Sequence, residues 1–424
     1  MNSANDDARP VRGMRDIMGQ DSSVFNTVVD TLKQVAQSHG YSHIETPILE
    51  FSSLFARSLG EDTDVVGKEM FSFADRAGQQ VSLRPEGTAS AVRALISNGL
   101  TQKLPQKLYY FGPMFRYDRP QKGRYRQFFQ FGIENLGEGS PLSDVDVIFL
   151  ANDGLTRLGI KSKLFINSIG DQPSRTAYKA RLVEYFSKYE TDLSEDSRRR
   201  LTTNPLRILD SKEAGDLKIV EGAPSISDFL TNDAAAFFDS VQNGLSALSI
   251  DFSLDRTLVR GLDYYDHTTF EFKTDIDDLS LAIVGGGRYN GLVEQIGGPH
   301  IPAIGLAFGI DRMMLAYDAS KLVTPPLIAV LFVTKNEELY ALELAQQLRK
   351  NFNVILPTDG NLAKRMKQSN SAGACCALIL GEKEVAERSV TCKFLKEVQG
   401  YANGAENLVS RDALEAFFAQ ICQS

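Results

Sequence analysis

The sequence predicts an α+β fold: an antiparallel sheet flanked by helices, interrupted by a helical insertion and followed by a C-terminal α/β domain. Three observations lead there. KLYYFGPMF (107–115) and QFFQFGIE (127–134) are strand-like runs joined by a long polar, glycine-containing loop, which marks an antiparallel hairpin and not a βαβ unit. Between about 173 and 251 charge-rich helical patterns dominate, and strand patterns return only at TFEFK (269–273) and AIGLAFGI (303–310). Beyond SKLVTPPL (320–327), strands and helices alternate, the pattern of a small, mostly parallel sheet.

Taken in order, VFNTVVDTLKQVAQS (24–38) spaces its apolar side chains for a helix, and Gly40 stops it. YSHIETPILE (41–50) reads as a strand broken at Pro47, a residue that suits a sheet edge or a strand start. Residues 143–158, SDVDVIFLANDGLTRL, are again helical. RTAYKARLVEYFSKY and NDAAAFFDSVQNGLSAL carry the insertion, and Pro325-Pro326 marks a linker. IAVLFV, a helix over 336–350, NVIL, a helix near 361–369 and CALILG then alternate. The expected domains are therefore a core of 1–172 with 252–324, an inserted helical domain at 173–251, and an α/β domain at 325–424.

At 424 residues the chain is too long for one ordinary core. No apolar run approaches the ~20 residues of a membrane helix, and MNSANDDARP lacks the regions of a secretory signal. Cys375, Cys376, Cys392 and Cys422 have neither C-x-x-C spacing nor histidine partners, so reduced, buried thiols in a cytoplasmic setting are expected. A net charge of −8 argues against a surface coated with nucleic acid, yet it leaves room for a local anionic site.

That site has a candidate. FRYDRPQKGRYRQFFQFGIE (115–134) packs Arg116, Arg119, Lys122, Arg124 and Arg126 among aromatics. Strand alternation puts Arg126, Phe128, Gln130, Gly132 and Glu134 on one face and Gln127, Phe129, Phe131 and Ile133 on the core face. Gly132 predicts open space beside Glu134, room for a small ligand. A solvated charged turn, an RNA patch and a triphosphate clamp all fit the hairpin by itself.

The hairpin resembles motif 2 of the class II aminoacyl-tRNA synthetases, and AIGLAFGIDR (303–312) resembles their motif 3. LVRGLDYYDHTTFEF (258–272) and GGGRYNGL (285–292) are similar to two signatures of the histidyl-tRNA synthetases, and LRPEGT (83–88) and the Pro47 strand fall where that family has its amino-group pocket and motif 1. The resemblance runs along the whole chain. It implies a class II synthetase-type sheet, ATP with Mg2+, L-histidine and its tRNA as substrates, a homodimer in contact through the first helix and the Pro47 strand, and an anticodon-binding tail.

By the same resemblance Arg116 holds the α-phosphate and the histidine carboxylate, and Arg260 takes the opposite side. Arg312 and Phe128 sandwich the adenine, and Arg124 and Arg126 reach the outer phosphates. Glu86, Gly87 and Thr88 receive the substrate ammonium with Gln130, while Glu134 and Tyr265 hold the two imidazole nitrogens beside Tyr264. No protein side chain is assigned to a metal. Asp118, Gln127, Phe129 and Asn290 depart from the family pattern and put contacts of the motif 2 loop in doubt. The Arg198-Arg199-Arg200 run would face the acceptor arm, and Lys364, Arg365 and Lys367 form the basic patch of the tail. The alternatives are a histidine-sensing regulatory subunit of ATP phosphoribosyltransferase, which lacks this tail, and a tRNA-binding module, which would not need Arg116, Arg260 and Arg312 together.

Overall fold

An eight-stranded sheet organises the first 322 residues. In chain order its strands are β1 (Ser42–His43), β2 (Gln106–Phe115), β3 (Gln127–Leu136), β4 (Lys163–Ser168), β5 (Phe252–Leu254), β6 (Asp266–Ile276), β7 (Leu279–Arg288) and β8 (Ala303–Gly309). Their spatial order is β1-β2-β3-β8-β7-β6-β4-β5, antiparallel except at the two outer pairs. The computed structural model describes residues 8–60, 63, 65–259, 263–277, 279–322, 326–398 and 400–421. The chain divides into two compact units, Met1–Leu322 and Val323–Ser424.

Hairpin β2–β3 pairs Gln106 with Leu136 and Phe115 with Gln127 in unbroken antiparallel register. Its alternation decides what each face does. Tyr109, Phe131 and Ile133 point into the main core, where they meet Val28, Leu32 and Val35 of helix α1 (Gln20–Ser38) and Ile148 and Ala151 of helix α3 (Pro141–Arg157). Leu108 and Leu136 face the opposite way, toward Val92 and Leu95 of helix α2 (Thr88–Ser97). Each such buried aliphatic or aromatic side chain contributes about 1.5–3 kcal/mol, so both layers are held by apolar burial. Gly40, at φ 80°, closes α1 as the sequence predicts, and Ser140 caps α3 by accepting from the Leu142 amide with Pro141 at the first turn. The broken strand at Pro47 becomes β1 and a separate strand, Leu49–Phe51, of a three-stranded sheet with Ser72–Ala74 and Gln80–Leu83.

The insertion carries helices α4 (Gln172–Phe186), α5 (Glu195–Thr203), α6 (Ala214–Val220) and α7 (Asn232–Ala247). Tyr178, Leu182, Phe186 and Ile208 form a core of their own, but Val241 and Leu245 of α7 belong to the main core. The last inserted helix is thus anchored on the sheet unit. Helix α8 (Ile310–Ala316) follows β8 and carries Asp311 and Arg312.

In the second unit, strands Asn353–Ile355, Leu327–Phe332 and Cys376–Leu380 are parallel neighbours, as the alternating pattern predicts. Two antiparallel strands, Ser389–Phe394 and Glu406–Ser410, extend the sheet beyond that expectation. Arg365 corrects a second one. Only 5 % exposed, it donates to the Gly360 carbonyl from Nε (3.0 Å) and Nη2 (2.7 Å), donates to the Phe332 carbonyl, and lies 3.6 Å over the Phe332 ring. It ties helix Leu362–Ser371 to the central strand and offers nothing to a ligand at the surface.

Candidate active site

The hairpin and its neighbours enclose an open cleft of about 720 Å³. Arg116, Arg124, Phe128, Gln130 and Arg312 all line it, so five side chains from the motif 2 and motif 3 stretches converge. Arg116 donates from Nε to the Pro85 carbonyl (2.9 Å), and its guanidinium carbon lies 5.4 Å from the Phe128 ring centre. Arg312 reaches the Gly123 carbonyl from Nε (3.1 Å) and the Ala282 carbonyl from Nη1 (2.7 Å), which fixes its fork against the hairpin loop and β7. Such fixing matters, because a pre-oriented guanidinium spends less freedom when it meets a phosphate or a base.

Arg124 pairs with Asp118 at 3.2 Å, so the shortened acid at 118 still holds the loop. Arg126 is placed differently: its guanidinium lies 3.6 Å over the Tyr117 ring and its amide donates to the Gly13 carbonyl (2.7 Å), outside the cleft lining. Arg260, with Gly261 and Leu262, lies outside the described residues. The remaining departures have local explanations. Phe129 packs edge-on to Phe25 and its amide donates to Asp311 (2.8 Å), while Gln127 faces Phe115 in the register of the hairpin. Asn290 accepts from Arg288 (3.1 Å) and from the Ala303 amide (3.2 Å).

Glu86, Thr88, Glu134, Tyr264 and Tyr265 form a second, buried cluster that Arg116 borders. Glu86 accepts from the Thr88 amide (2.7 Å) and the Ala89 amide (2.8 Å), satisfying two orphan donors of α2. A carboxylate offers about four lone-pair sites, so it keeps acceptor capacity for an ammonium. Burial raises its pKa, opposed by those amides, by Thr88 and by Arg116. Glu134 is fully buried and accepts from Tyr110 (3.1 Å) and from Tyr289. Burial pushes its carboxyl up to about 8, against hydrogen bonds from Tyr289, Thr88 and Tyr110 that favour the anion. Tyr264 stands between Tyr265 and Tyr289, with ring centres at 4.6 and 5.6 Å.

One expectation fails here. Gly132 does not leave open space: a Cβ on it would lie 2.0 Å from Tyr110 Cζ, and one on Gly87 would lie 2.1 Å from the same ring. Tyr110 is the direct cross-strand partner of Gly132, and the two glycines exist to admit its ring. Tyr110 and Tyr289 were thus missed as site residues. Alternation along KLYYFG places Tyr110 on the Glu134 face, but only the register shows that it fills the glycine gap. Arg84 was missed as a strut; 1 % exposed, it binds the Thr46 carbonyl and hydroxyl (both 3.0 Å) and the Pro113 carbonyl (3.0 Å).

An open, guanidinium-lined cleft of about 720 Å³, joined by one arginine to a buried acid–phenol cluster, suits an amino acid meeting a nucleotide. Comparison with known proteins agrees. The family described as histidyl-tRNA synthetase matches residues 13–169 and 191–313, and the one described as anticodon binding domain matches 328–421. The chain belongs to the histidyl-tRNA synthetase family. It is 44 % identical over 415 residues to the histidine–tRNA ligase of Rhodospirillum rubrum, covering 97 % of this chain and 99 % of that one. The histidine–tRNA ligase of Gluconobacter oxydans is 45 % identical over 390 residues, 91 % of this chain and 94 % of its own. Apo S. aureus histidyl-tRNA synthetase superposes with a TM-score of 0.79 at 32 % identity, covering 97 % of this chain and 99 % of that one. A Bacillus halodurans ATP phosphoribosyltransferase regulatory subunit/histidyl-tRNA synthetase shares the fold at 23 % identity, TM-score 0.64, over 88 % of this chain and 99 % of its own.

Proposed function

We propose that this synthetase joins L-histidine to its tRNA through a histidyl-adenylate. The histidine carboxylate attacks the α-phosphorus of ATP, pyrophosphate leaves in line, and the acyl group then passes to the tRNA 3′ end. The observation that carries the reading is the meeting of Arg116, Phe128 and Arg312, from two separated stretches, around one cleft, with Arg116 also bordering the buried cluster of Glu86 and Glu134. Charge builds on phosphate oxygens in the first step, so fixed guanidinium groups do most of the work by position and electrostatics. Arg116 spans the α-phosphate and the substrate carboxylate, Arg312 and Phe128 hold the adenine between them, and Arg124 lies toward the outer phosphates, with Arg126 behind it. Glu86, Gly87, Thr88 and Gln130 take the ammonium end; Glu134 and Tyr265 take the imidazole. Substrates without a ring N–H would leave an acceptor site of buried Glu134 unfilled beside its two phenol donors, so binding itself discriminates against them.

Mg2+ enters as the companion of the triphosphate, and among the described residues no cluster of three or more histidine, cysteine or carboxylate side chains stands ready for a metal. Among them, too, no helix is long and apolar enough to cross a membrane, and we assign the chain to the cytoplasm. A homodimer through the three-stranded sheet is supported by Ile48, Leu49, Phe51 and Phe73, apolar side chains 40–56 % exposed on one small surface. The residues of the inserted helical domain, 173–251, and of the tail, 325–424, are assigned to the acceptor arm and the anticodon.

ATP–pyrophosphate exchange with each standard amino acid, followed by charging of total tRNA, tests the reading: exchange with histidine alone is expected, and none would refute it. Arg260→Ala should lower exchange by a factor of about a hundred or more, the cost of one lost transition-state donor. Near-normal exchange in that variant would remove Arg260 from the catalytic set.

A further inference from the structure

Residues 11–15 lie as a strap against the motif 2 hairpin loop, and three separate contacts fasten them there. The Gly13 carbonyl accepts from the Arg126 amide (2.7 Å). The Arg15 guanidinium lies 4.7 Å from the Tyr125 ring centre, and its Nη2 donates to Asp311 Oδ1 (2.9 Å). The other Asp311 oxygen accepts from the Phe129 amide (2.8 Å), so one carboxylate, 6 % exposed, joins the strap, β3 and α8. Arg15 also reaches the exposed Asp21 (3.4 Å), but water screens that pair, whereas the shielded Asp311 pair is a strong, charge-assisted tie. The fit is close. The Met14 amide donates to the Val11 carbonyl (2.8 Å), a four-residue turn whose third position, Gly13, has φ 84°. A Cβ on Gly13 would stand 2.9 Å from Arg126 Cγ and 3.0 Å from Pro120 Cγ, so only glycine lets the strap lie this near the loop.

What the strap holds faces the large cleft. Gly123, Arg124, Tyr125, Asp311 and Arg312 line that cleft, and Arg15 grips Tyr125 and Asp311 from behind them. Arg312 follows Asp311 in the chain and donates to the Gly123 carbonyl (3.1 Å), so Arg15 clamps both sides of that contact. We infer that Arg15 is a positioning residue for the nucleotide: with Gly13 it keeps the hairpin loop and α8 in mutual register, so that Arg124 and Arg312 are set before ATP arrives. This rests on the proposed ligase function. The ties of the strap belong to the nucleotide side of the site, whereas Glu86 is held by amides of α2 and Glu134 by Tyr110 and Tyr289. Loss of the strap should therefore be felt by ATP and not by histidine.

Full-length protein with Arg15→Gln, Gly13→Ala or the charge-conserving Arg15→Lys is compared with the unsubstituted chain in histidine-dependent exchange. In the first two variants the KM for ATP should rise roughly five- to thirtyfold while the KM for histidine stays within about twofold, since a small misplacement of positioned groups is costly even when its origin is remote. Arg15→Lys keeps a cation for Asp311 and should recover part of the loss. Arg15→Gln added to Asp311→Asn should cost little beyond Asp311→Asn alone, because the two act as one pair. An unchanged KM for ATP in both Arg15→Gln and Gly13→Ala overturns the inference. Equal rises in both KM values with a lowered melting midpoint overturn it too, and would make the strap a general structural tie. Absence of exchange in the unsubstituted chain would sink the ligase reading, a distinct result; ATP affinity by calorimetry then decides the inference, which predicts weaker binding in both variants and is overturned by equal binding.

Discussion

Glu134 shows how much chemistry one side chain can hold. Its carboxyl, normally near 4.5, is raised to about 8 by burial, with Tyr289, Thr88 and Tyr110 opposing. Between those two values the folded chain binds a proton that the unfolded chain has released, so stability falls as pH rises across that window and is fully present below 4.5. The contribution is on the order of a few kcal/mol, at about 1.4 kcal/mol for each unit of difference. Glu134→Gln should therefore flatten the decline of the urea midpoint between about pH 5 and about pH 8.5. An unchanged slope would show that the proton sits elsewhere. The same residue marks the reach of sequence reasoning. Period-two alternation put Glu134, Gln130 and Phe128 on one face and the core residues Phe131 and Ile133 on the other, and the sheet obeys it. The ring of Tyr110 could not be seen that way, because its place depends on Gly87 and Gly132, 45 residues apart, closing on it from two elements.

Elements hold together here through buried polar ties as well as apolar faces. Arg288 at the end of β7 is wholly buried; its Nε donates to Asp144 of α3 (3.0 Å), and further bonds reach the Glu138 carbonyl (3.1 Å) and the Ser143 hydroxyl (2.7 Å). That constellation locks a helix to the strand that leads into Tyr289, whose hydroxyl donates to Glu134. Removing one partner of a buried pair strands the other, at a cost of about 3–5 kcal/mol. Asp144→Ala should lower the urea midpoint accordingly and blunt histidine exchange with it; a change below about 1 kcal/mol would show that the carbonyls alone satisfy Arg288. From GGGRYNGL by itself a tight turn or a binding loop was equally readable. The close packing supplies the reason: a Cβ on Gly286 would stand 2.4 Å from the Gly305 carbonyl across the sheet, and one on Gly305 itself 2.0 Å from the Glu134 carboxylate. A single sequence cannot pair two such strands, and so it shows the glycines without their reason.

At the scale of the molecule, the two units have separate cores. Ile328, Val330, Leu344 and Phe394 form one in the tail, while the sheet core closes on its own residues from Val24 to Met313. Pro325-Pro326 and the change of periodicity put a boundary at 324/325 in the sequence, and the structure divides at 322/323, since a sheet of alternating strands and helices leaves a distinct pattern. Arg365 was misread because charge in a sequence does not reveal whether a backbone carbonyl waits inside the fold for it. Division of the cores carries a consequence for function. Arg116, Arg312 and Glu134 all belong to the first unit, and the anticodon-binding match belongs wholly to the second. Adenylation should then need only residues 1–322, whereas charging draws on both, because binding at two linked places multiplies affinity for one tRNA. A chain ending at Leu322 is expected to keep histidine-dependent exchange within about threefold and to lose at least tenfold in kcat/KM for tRNA. If the shortened chain melts cooperatively yet fails to exchange, the tail must shape the adenylation site; if it charges tRNA normally, the tail contributes nothing to recognition.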